Sequence, residues 1–464
     1  MKLFNVVQKY LMTLTALITV YGAHASAQQA YIKIGEAQSK KSNLAFPAMN
    51  QTNSSKNSNH IKLASEIHTV AKKDLELSTY FNMISPEAFL EDTSKISIKS
   101  KAIEPTGFTF DKWKAISAEF LIRSSFSIIG DEINVEMYLY QVNEGKTVVG
   151  KKYKGKSNQT TQIGHTLAND VLEALTGQRG SFLSKIVATT DRSGHKEVIT
   201  MNWDGTDQDI ITRDRSIAIS PNWSPDGKKL LYSIYTRKVK SAQQNLTLFE
   251  HNLSTNKRTI ISNRNGLNSG GSYSPDGKYI YLTISQGGSP DIYKLDLSGD
   301  IVKRLTNGPS GAMNVEAALS KDGSQIAFSS DRGGNPAIYK MTVNGDSVKR
   351  LTFEKDGKYN SSPSWSPDGQ KIAFASQIGK YFDIFIMNSD GSDLRRLTTA
   401  YKANGSRASN EDPTFSPDGR FVAFTSNRTG KFQLYVISVD GKEERRVTQD
   451  SYNYYKPKWS NNLD

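Results

Sequence analysis

The chain has 464 residues, of which 37% are hydrophobic and 23% are charged, a balance typical of a folded soluble protein and not of a disordered one. It contains no cysteine, which excludes disulfide bonds and thiolate metal sites but not an oxidising compartment, because a large core does not need covalent cross-links. The formal net charge of +13 raises nucleic acid as a possible partner.

The N-terminus has the pattern of a secretory signal peptide, which we assign to residues 1–27. Lys2 and Lys9 precede an apolar run over 10–21, and small residues follow in GAHASA. The run is too short to cross a bilayer as a mature helix, and the small residues predict cleavage after Ala25 or Ala27. No cysteine follows, so this is not a lipoprotein signal. We expect an exported protein whose mature chain has no membrane span.

A short extended segment, 28–42, precedes a region of mixed pattern over 43–180. Apolar residues at helical spacing predict helices over 61–77 and 162–177, with Gly177 as the C-cap of the second. Alternating residues over 132–155 predict a β-hairpin, and the polar stretch 50–60 reads as a solvated loop. We therefore predict a small α/β domain.

From residue 181 onward the chain repeats one motif. The clearest copy is WSPDG at 365–369, and the serines of the copies recur at intervals of 44 to 50 residues. They are Ser224, Ser274, Ser320, Ser366, Ser416 and Ser460. Ser, Pro and Gly occupy the positions that a type I turn prefers. A fixed period of this length indicates radially arranged units.

Each repeat can be written as four short strands, with the motif as the turn between the first two. Five copies are complete over about 213–448. Residues 185–212 supply strands two to four of a further unit, and 454–462 supply a first strand. Joining them predicts a six-bladed β-propeller over 181–464, closed by both chain ends so that no free sheet edge remains.

Basic pairs recur at one position of this repeat, which we assign to the last strand at the edge of each blade. They lie at 257–258, 303–304, 349–350, 395–396 and 445–446. Charged side chains on an edge strand oppose strand-to-strand aggregation. Because the basic excess is spread around the rim in this way, we do not expect a nucleic-acid partner.

An exported α/β domain, six WSPDG-type blades and a lone closing P-x-W-S strand together resemble the TolB family. The stretch HTLANDVLEALTGQRGSF at 165–182, leading into KIVATT at 185–190, is similar to that family's helix–linker–blade junction. The blade motif by itself is less specific, since other exported propellers carry it. The resemblance covers the chain from about residue 31 to 464.

The resemblance implies a periplasmic scaffold of a Tol–Pal system, a monomer that serves envelope integrity and outer-membrane constriction at division. It implies binding of the outer-membrane lipoprotein Pal at one mouth of the propeller channel, by residues just before each first strand. These residues are Leu267, Asn268, Asn314, Glu316, Asn360, Ser361, Glu411 and Asp412. Glu316 follows an N-x-E pattern similar to the family's, whereas Leu267 stands where the family can have histidine.

The resemblance also implies contact with the inner-membrane protein TolA through the mature N-terminal segment. An extended segment can add as a strand to a partner's sheet. The residues concerned are Ala30, Tyr31, Ile32, Lys33, Ile34 and Gly35. We further hypothesise that Pal binding changes the exposure of this segment.

The alternative is a propeller enzyme acting on a periplasmic substrate. There is no G-x-S-x-G nucleophile motif, and the six histidines are scattered without metal-ligand spacing. At the channel mouth, the carboxylates of Glu316 and Asp412 are catalytic candidates only in the weakest sense. We therefore expect no catalytic residue, no cofactor and no bound metal.

Overall fold

The structure is a computed structural model that describes residues 41–52, 57–237, 244–286, 288–309, 311–353 and 358–463. The predicted signal peptide and the predicted TolA-binding segment lie outside these residues. None of the helices in the described part of the chain has the length and hydropathy needed to cross a bilayer.

The N-terminal region is the predicted small α/β domain, a mixed sheet covered by two long helices and accompanied by one short helix. Its helices are α1 (Ser58–Leu77), α2 (Phe110–Ala115) and α3 (Thr160–Thr176), with single 3₁₀ turns at Pro86–Ala88 and Ser157–Gln159. Its strands are β1 (Ser42–Ala45), β2 (Asn50–Gln51), β3 (Phe81–Met83), β4 (Ser97–Ser100), β5 (Gly107–Phe108), β6 (Phe120–Ile129), β7 (Glu132–Gln141) and β8 (Lys146–Lys156).

The main sheet has the order β3-β1-β6-β7-β8, with β2 also paired to β6. The β1 pairings are parallel, whereas β6, β7 and β8 run antiparallel. The predicted loop over 50–60 is corrected at both ends, because β2 pairs with β6 and α1 already begins at Ser58. The polar composition of 50–60 obscured both features, because the short strand β2 borders a loop and the first turn of α1 is exposed.

Packing within this region follows the periodicity of its sequence. Alternate residues of β7 are buried, as a half-buried strand requires. Helices α1 and α3 pack closely because Gly164 lies at their contact, where a Cβ atom would come within 2.8 Å of the Val70 side chain. Gly177 has φ 76° and ends α3 in the left-handed conformation, as predicted for a C-cap.

The rest of the described chain forms six four-stranded antiparallel sheets, which are the six predicted blades. Their strands are β9 (Ser184–Thr190), β10 (Glu197–Asn202), β11 (Asp209–Ile210), β12 (Ala218–Trp223), β13 (Lys229–Arg237), β14 (Gln244–Asn252), β15 (Lys257–Ser262), β16 (Asn268–Tyr273), β17 (Ile280–Ile284), β18 (Asp291–Leu295), β19 (Ile301–Arg304), β20 (Asn314–Leu319), β21 (Gln325–Ser330), β22 (Ala337–Thr342), β23 (Lys349–Arg350), β24 (Asn360–Trp365), β25 (Lys371–Ile378), β26 (Tyr381–Asn388), β27 (Arg395–Arg396), β28 (Asn410–Phe415), β29 (Phe421–Ser426), β30 (Gln433–Ser438), β31 (Glu444–Arg446) and β32 (Tyr454–Asn462).

We number the blades 1 to 5 from β12–β15 to β28–β31, and blade 6 combines β9–β11 with β32. The sheet order β11-β10-β9-β32 confirms that the last described strand closes the ring beside β9. The five basic pairs lie on the outermost strands of blades 1 to 5, as predicted, whereas β11 of blade 6 carries none.

The repeated Ser-Pro-Asp-Gly segment forms the predicted turn. In blade 1, the Ser224 hydroxyl donates to Asp226 Oδ1 at 2.6 Å, and the Gly227 N–H donates to the Ser224 carbonyl at 2.9 Å. Gly227 has φ 68°, a conformation that favours glycine. The serine and aspartate therefore stabilise a hairpin turn, which explains their recurrence without any catalytic role.

Candidate functional site

The propeller has two different ends. At the connection end, the last strand of each blade leads to the first strand of the next. At the turn end lie the Ser-Pro-Asp-Gly turns, and there the N-terminal region contacts blades 5 and 6. Arg420, beside the blade 5 turn, lies 3.7 Å from the Tyr80 ring centroid, and Lys73 pairs with Asp204 at 3.0 Å. The connection end is thus the end free of the N-terminal region.

The six first strands line a central channel, and each contains an irregularity of register at the same place. One residue at each irregularity has φ between 49° and 70°, in the left-handed region. They are Ser220, Gly270, Glu316, Ser362, Asp412 and Lys456. We call these six residues the bulge ring. Five of them are not glycine, so packing must hold a backbone conformation that such residues rarely adopt.

Four members of the bulge ring form a hydrogen-bonded ionic cluster across the channel. Lys456 Nζ lies 2.7 Å from Asp412 Oδ1 and 2.9 Å from Glu316 Oε1. The Ser362 N–H donates to Glu316 Oε2 at 2.6 Å, and its hydroxyl lies 3.1 Å from Asp412 Oδ1. The closing strand β32 thereby contacts blades 3 and 5 through one ammonium group.

The charges in this cluster support one another. Burial raises the pKa of Glu316, but the charge and hydrogen bond of Lys456 outweigh it and leave the pKa lowered. Burial lowers the pKa of Lys456, but the Asp412 and Glu316 carboxylates outweigh it and leave the pKa raised. Both groups therefore stay ionised at neutral pH. A carboxylate held by an ammonium group in this way is poorly suited to proton transfer.

The eight predicted mouth residues separate into two groups. Asn268, Asn314 and Asn360 begin strands β16, β20 and β24, so they lie within the first strands and not before them, and all three are buried. Asn268 Nδ2 donates to the Leu246 carbonyl at 2.9 Å, and Asn314 Nδ2 donates to Asp291 Oδ1 at 2.9 Å. Both bonds join neighbouring blades, so these two amides have a structural role.

The other predicted residues are partly accessible. Leu267, Ser361 and Glu411 lie at the connection end, and Glu316 and Asp412 lie one step deeper in the bulge ring. Burial and then the Asp412 charge raise the pKa of Glu411 to about 7. A partner at this end would therefore meet a carboxyl group that titrates near neutral pH.

Seven of the twelve exposed large apolar side chains in the described part of the propeller lie at the connection end. Its exposed large side chains are Ile217, Tyr235, Met313, Phe353, Tyr359, Tyr401 and Tyr452, all between 39% and 57% exposed. Elsewhere such residues lie on or beside the outermost strands, or, for Leu297, in a turn at the turn end. Exposed apolar groups gathered on one surface mark an interaction site.

Part of this surface could have been found from the repeat. Ile217, Leu267, Met313 and Tyr359 each directly precede the first residue of β12, β16, β20 and β24. An apolar residue at the same position in four consecutive blades, exposed in three of them and half-buried at Leu267, is the signal that the sequence reasoning missed. It missed Lys456 as well, because nothing in a linear pattern shows that this residue reaches across the ring.

In the described residues, no three His, Asp or Glu side chains come together in a way that could hold a metal ion. The channel holds a cavity of about 280 Å³, below the roughly 300–1,000 Å³ of pockets for drug-sized ligands.

Comparison with known proteins identifies the family. The family model described as "TolB beta propeller domain" matches residues 172–408 and 355–464, and the model described as "TolB amino-terminal domain" matches residues 30–148. A "Tol-Pal system protein TolB" from Desulfosudis oleivorans is 32% identical over 291 residues, 63% of this chain and 63% of that protein. Another from Geobacter sulfurreducens is 34% identical over 168 residues, 36% of this chain and 37% of that protein.

These matches span between about one third and two thirds of the curated relatives' length. A structural match reaches further: the crystal structure of TolB from Acinetobacter baumannii aligns with a TM-score of 0.73 and 25% identity, covering 91% of this chain and 97% of that one. The relatives are named as system components and not as enzymes, in agreement with the prediction of a non-enzymatic protein. Because the propeller family model covers well over half of the residues, this chain belongs to the TolB family.

Proposed function

We propose that this protein is the periplasmic scaffold of a Tol–Pal system, which binds the outer-membrane lipoprotein Pal at the connection end of its propeller. The observation that carries the proposal is the one-sided apolar surface around that mouth. Aromatic side chains are enriched in the energetically important parts of protein interfaces. The end is also free of the N-terminal region, so a folded partner would have access to it.

In this proposal, the predicted mouth residues have different parts. Leu267, Ser361 and Glu411 would contact Pal directly. Glu316 and Asp412 would face the group of Pal that enters farthest into the channel. Asn268, Asn314 and Asn360 would act by holding neighbouring blades in place. The exposed Met313 and Tyr359 side chains join this surface and extend the predicted set.

The test is the affinity of the purified protein for the Pal lipoprotein of the same cell, measured by calorimetry. The test variant is Tyr359→Ala, because the Tyr359 side chain is 42% exposed at this end. We expect it to weaken binding about 30-fold, which corresponds to the loss of a typical interface hot spot of about 2 kcal/mol. The matched control is Leu297→Ala, because Leu297 is 45% exposed at the opposite end. Equal losses in both variants, or no binding by the unmodified protein, would refute this assignment of the Pal site.

We also propose that the N-terminal segment Ala30 to Gly35 binds the inner-membrane protein TolA by strand addition. Backbone hydrogen bonds would carry this interaction. Ile32→Pro removes a backbone donor and should abolish binding, whereas Lys33→Ala keeps the backbone and should not. If the two variants bind TolA equally well, strand addition is wrong. Equal TolA affinities with and without Pal would exclude the proposed coupling.

Periplasmic residence through the 1–27 signal peptide belongs to the same proposal. The mass of the protein recovered from the periplasmic fraction tests it. We expect a mature chain that starts at Ser26 or Gln28. Recovery of an uncleaved chain from the cytoplasm would contradict it.

A further inference from the structure

A second ring of side chains lies in the channel directly below the bulge ring, toward the turn end. It comprises the residues two positions after each bulge residue, which are Asn222, Ser272, Ala318, Ser364, Thr414 and Lys458. All six line the 280 Å³ cavity. This lower ring contains one ammonium group, three hydroxyl groups and one amide, and no carboxylate. Its composition is that of a set of hydrogen-bond donors.

The hydroxyl hydrogens of this lower ring are available. Ser364 Oγ accepts from the Phe415 N–H at 3.2 Å, and Thr414 Oγ1 accepts from the Trp459 N–H at 3.3 Å. Each oxygen is thus occupied as an acceptor, which leaves its O–H free to donate. The Ser272 hydroxyl has no hydrogen bond to any described residue. The amide of Asn222 makes only one long donor contact, at 3.4 Å to the Gly271 carbonyl.

Lys458 has no carboxylate within 4.0 Å among the described residues, unlike Lys456 directly above it. Burial and then the positive charge of Lys456 lower the pKa of Lys458. Blade 3 faces blade 6 across the ring, and its residue in the lower ring is Ala318, the smallest of the six. Open space therefore lies in front of an ammonium group that has no carboxylate within 4.0 Å, and the Glu316 and Asp412 carboxylates that line the same cavity act on it only from farther away.

The turn end of the channel carries another lysine. Lys321 replaces the proline of the Ser-Pro-Asp-Gly turn in blade 3, lines the same cavity, and is exposed. It has no ion-pair partner among the described residues. Because blades 3 and 6 are opposite, Lys321 stands at the turn-end opening on the side facing Lys458. An anion entering at this opening would first approach the ammonium group of Lys321 and then the hydrogen-bond donors of the lower ring.

We propose that the lower ring is a binding site for one small oxyanion, a phosphate or carboxylate group, held by Lys458 and the surrounding hydroxyl and amide donors. The cavity is too small for a large cofactor. Charge-assisted hydrogen bonds from an ammonium group are the strong contacts in such a site. This site lies on the turn-end side of the ionic cluster, whereas Pal would approach Glu316 and Asp412 of that cluster from the connection end.

The experiment is calorimetric titration of the purified protein with inorganic phosphate and, separately, with succinate, against sodium chloride of matched ionic strength. We expect saturable binding of one oxyanion per chain. Lys458→Ser should weaken it at least about tenfold, the loss of one charge-assisted hydrogen bond. Serine is the residue that blades 2 and 4 carry at this position, so the ring should tolerate it. Lys321→Ala should cause a smaller loss, about threefold, because this side chain is solvated.

Two further variants keep the test decisive. Lys458→Arg retains the charge and should retain binding, and the exposed Lys380→Ser at the connection end should change nothing. Tighter binding of phosphate than of succinate would assign the site to phosphate groups, and the reverse order would assign it to carboxylate groups. The proposal fails if neither anion saturates the unmodified protein by about 10 mM, or if Lys458→Ser binds as tightly as the unmodified protein.

Discussion

Replacing Lys456 by serine tests the ionic cluster directly. Serine already occupies the equivalent bulge position in blades 1 and 4, with φ of 51° at Ser220 and 53° at Ser362. The backbone of β32 should therefore accept the change. What Lys456→Ser removes is the ammonium group, and it leaves the Glu316 and Asp412 carboxylates without their shared partner.

The size of the effect follows from the exposure of the three side chains. Losing one partner of a fully buried ion pair costs about 3–5 kcal/mol, whereas exposed pairs contribute about 0–1 kcal/mol. The side chains of Lys456, Glu316 and Asp412 are 38%, 31% and 12% exposed, between these limits. We therefore expect Lys456→Ser to lower the free energy of unfolding by about 2 kcal/mol at pH 7.

The loss should depend on pH in a defined direction. The pKa of Glu316 is lowered in the folded state by Lys456. Its stabilising contribution is therefore present above its unfolded pKa of about 4.3 and is lost as the pH falls through the lower folded value. The variant lacks this contribution at every pH. The difference between the two proteins should thus shrink below about pH 4.

Urea unfolding followed by tryptophan fluorescence gives the required comparison, because Trp459 lies in β32 and is only 8% exposed. Unfolding is measured at pH 7 and near pH 3.5. Lys456→Ser should also cost less in a Glu316→Gln background, where one of the two carboxylates is absent. An equal loss at both pH values, or an equal loss in both backgrounds, would refute the ion-pair explanation.

Three further changes test other parts of the structure. Arg420→Ala should destabilise the contact between the two regions by about 1–2 kcal/mol, since it removes the guanidinium 3.7 Å from the Tyr80 ring, and thermal unfolding with limited proteolysis measures it. Asn314→Ala should cost about 1–3 kcal/mol in chemical unfolding, because Asp291 is only 3% exposed and loses a donor from the next blade. Between pH 5 and pH 8, Glu411→Gln should gain about 1–2 kcal/mol of stability relative to the unmodified protein. The reason is that the folded-state pKa of Glu411 is raised to about 7, so ionisation of its carboxyl group in this range opposes folding.

Each of these changes has a control or an opposing result. Lys431→Ala, at an exposed connection-end position in the same blade as Arg420, should leave proteolysis unchanged. An Asn314→Ala variant with unaltered stability would mean that the interblade amide bond is not needed. For Glu411→Gln, a stability difference that stays constant from pH 5 to pH 8 would contradict the raised pKa.

Much of the architecture could be predicted because every blade repeats the same short-range turn and strand pattern. The turn at 224–227 needs its serine, aspartate and glycine for hydrogen bonds and backbone geometry that stay within a few residues. Ring closure could also be predicted, since 185–212 lacks a first strand and 454–462 lacks the other three. These inferences require only that every blade has all four strands, and they require no distances between atoms.

The chemistry of the channel could not be predicted in the same way. Asn268 and Asn314 have the polarity of a surface contact, but their partners lie in the preceding blade, and only the packing of two blades shows this. Lys456 is about 140 positions from Glu316 in the chain, so their pairing depends on the curvature of the whole ring. Linear spacing carries no information on groups that meet across a closed circle.

The closing strand has a consequence for how the protein is made. Strand β32 pairs with β9 across about 270 intervening positions, and it is the last of the described strands to be synthesised. Until it arrives, blade 6 has no first strand, and β9 offers an unpaired edge to other chains. Contacts between distant residues also form slowly. The ring therefore stays open until β32 has been synthesised, and a chain cut short before residue 454 would be a ready template for aggregation.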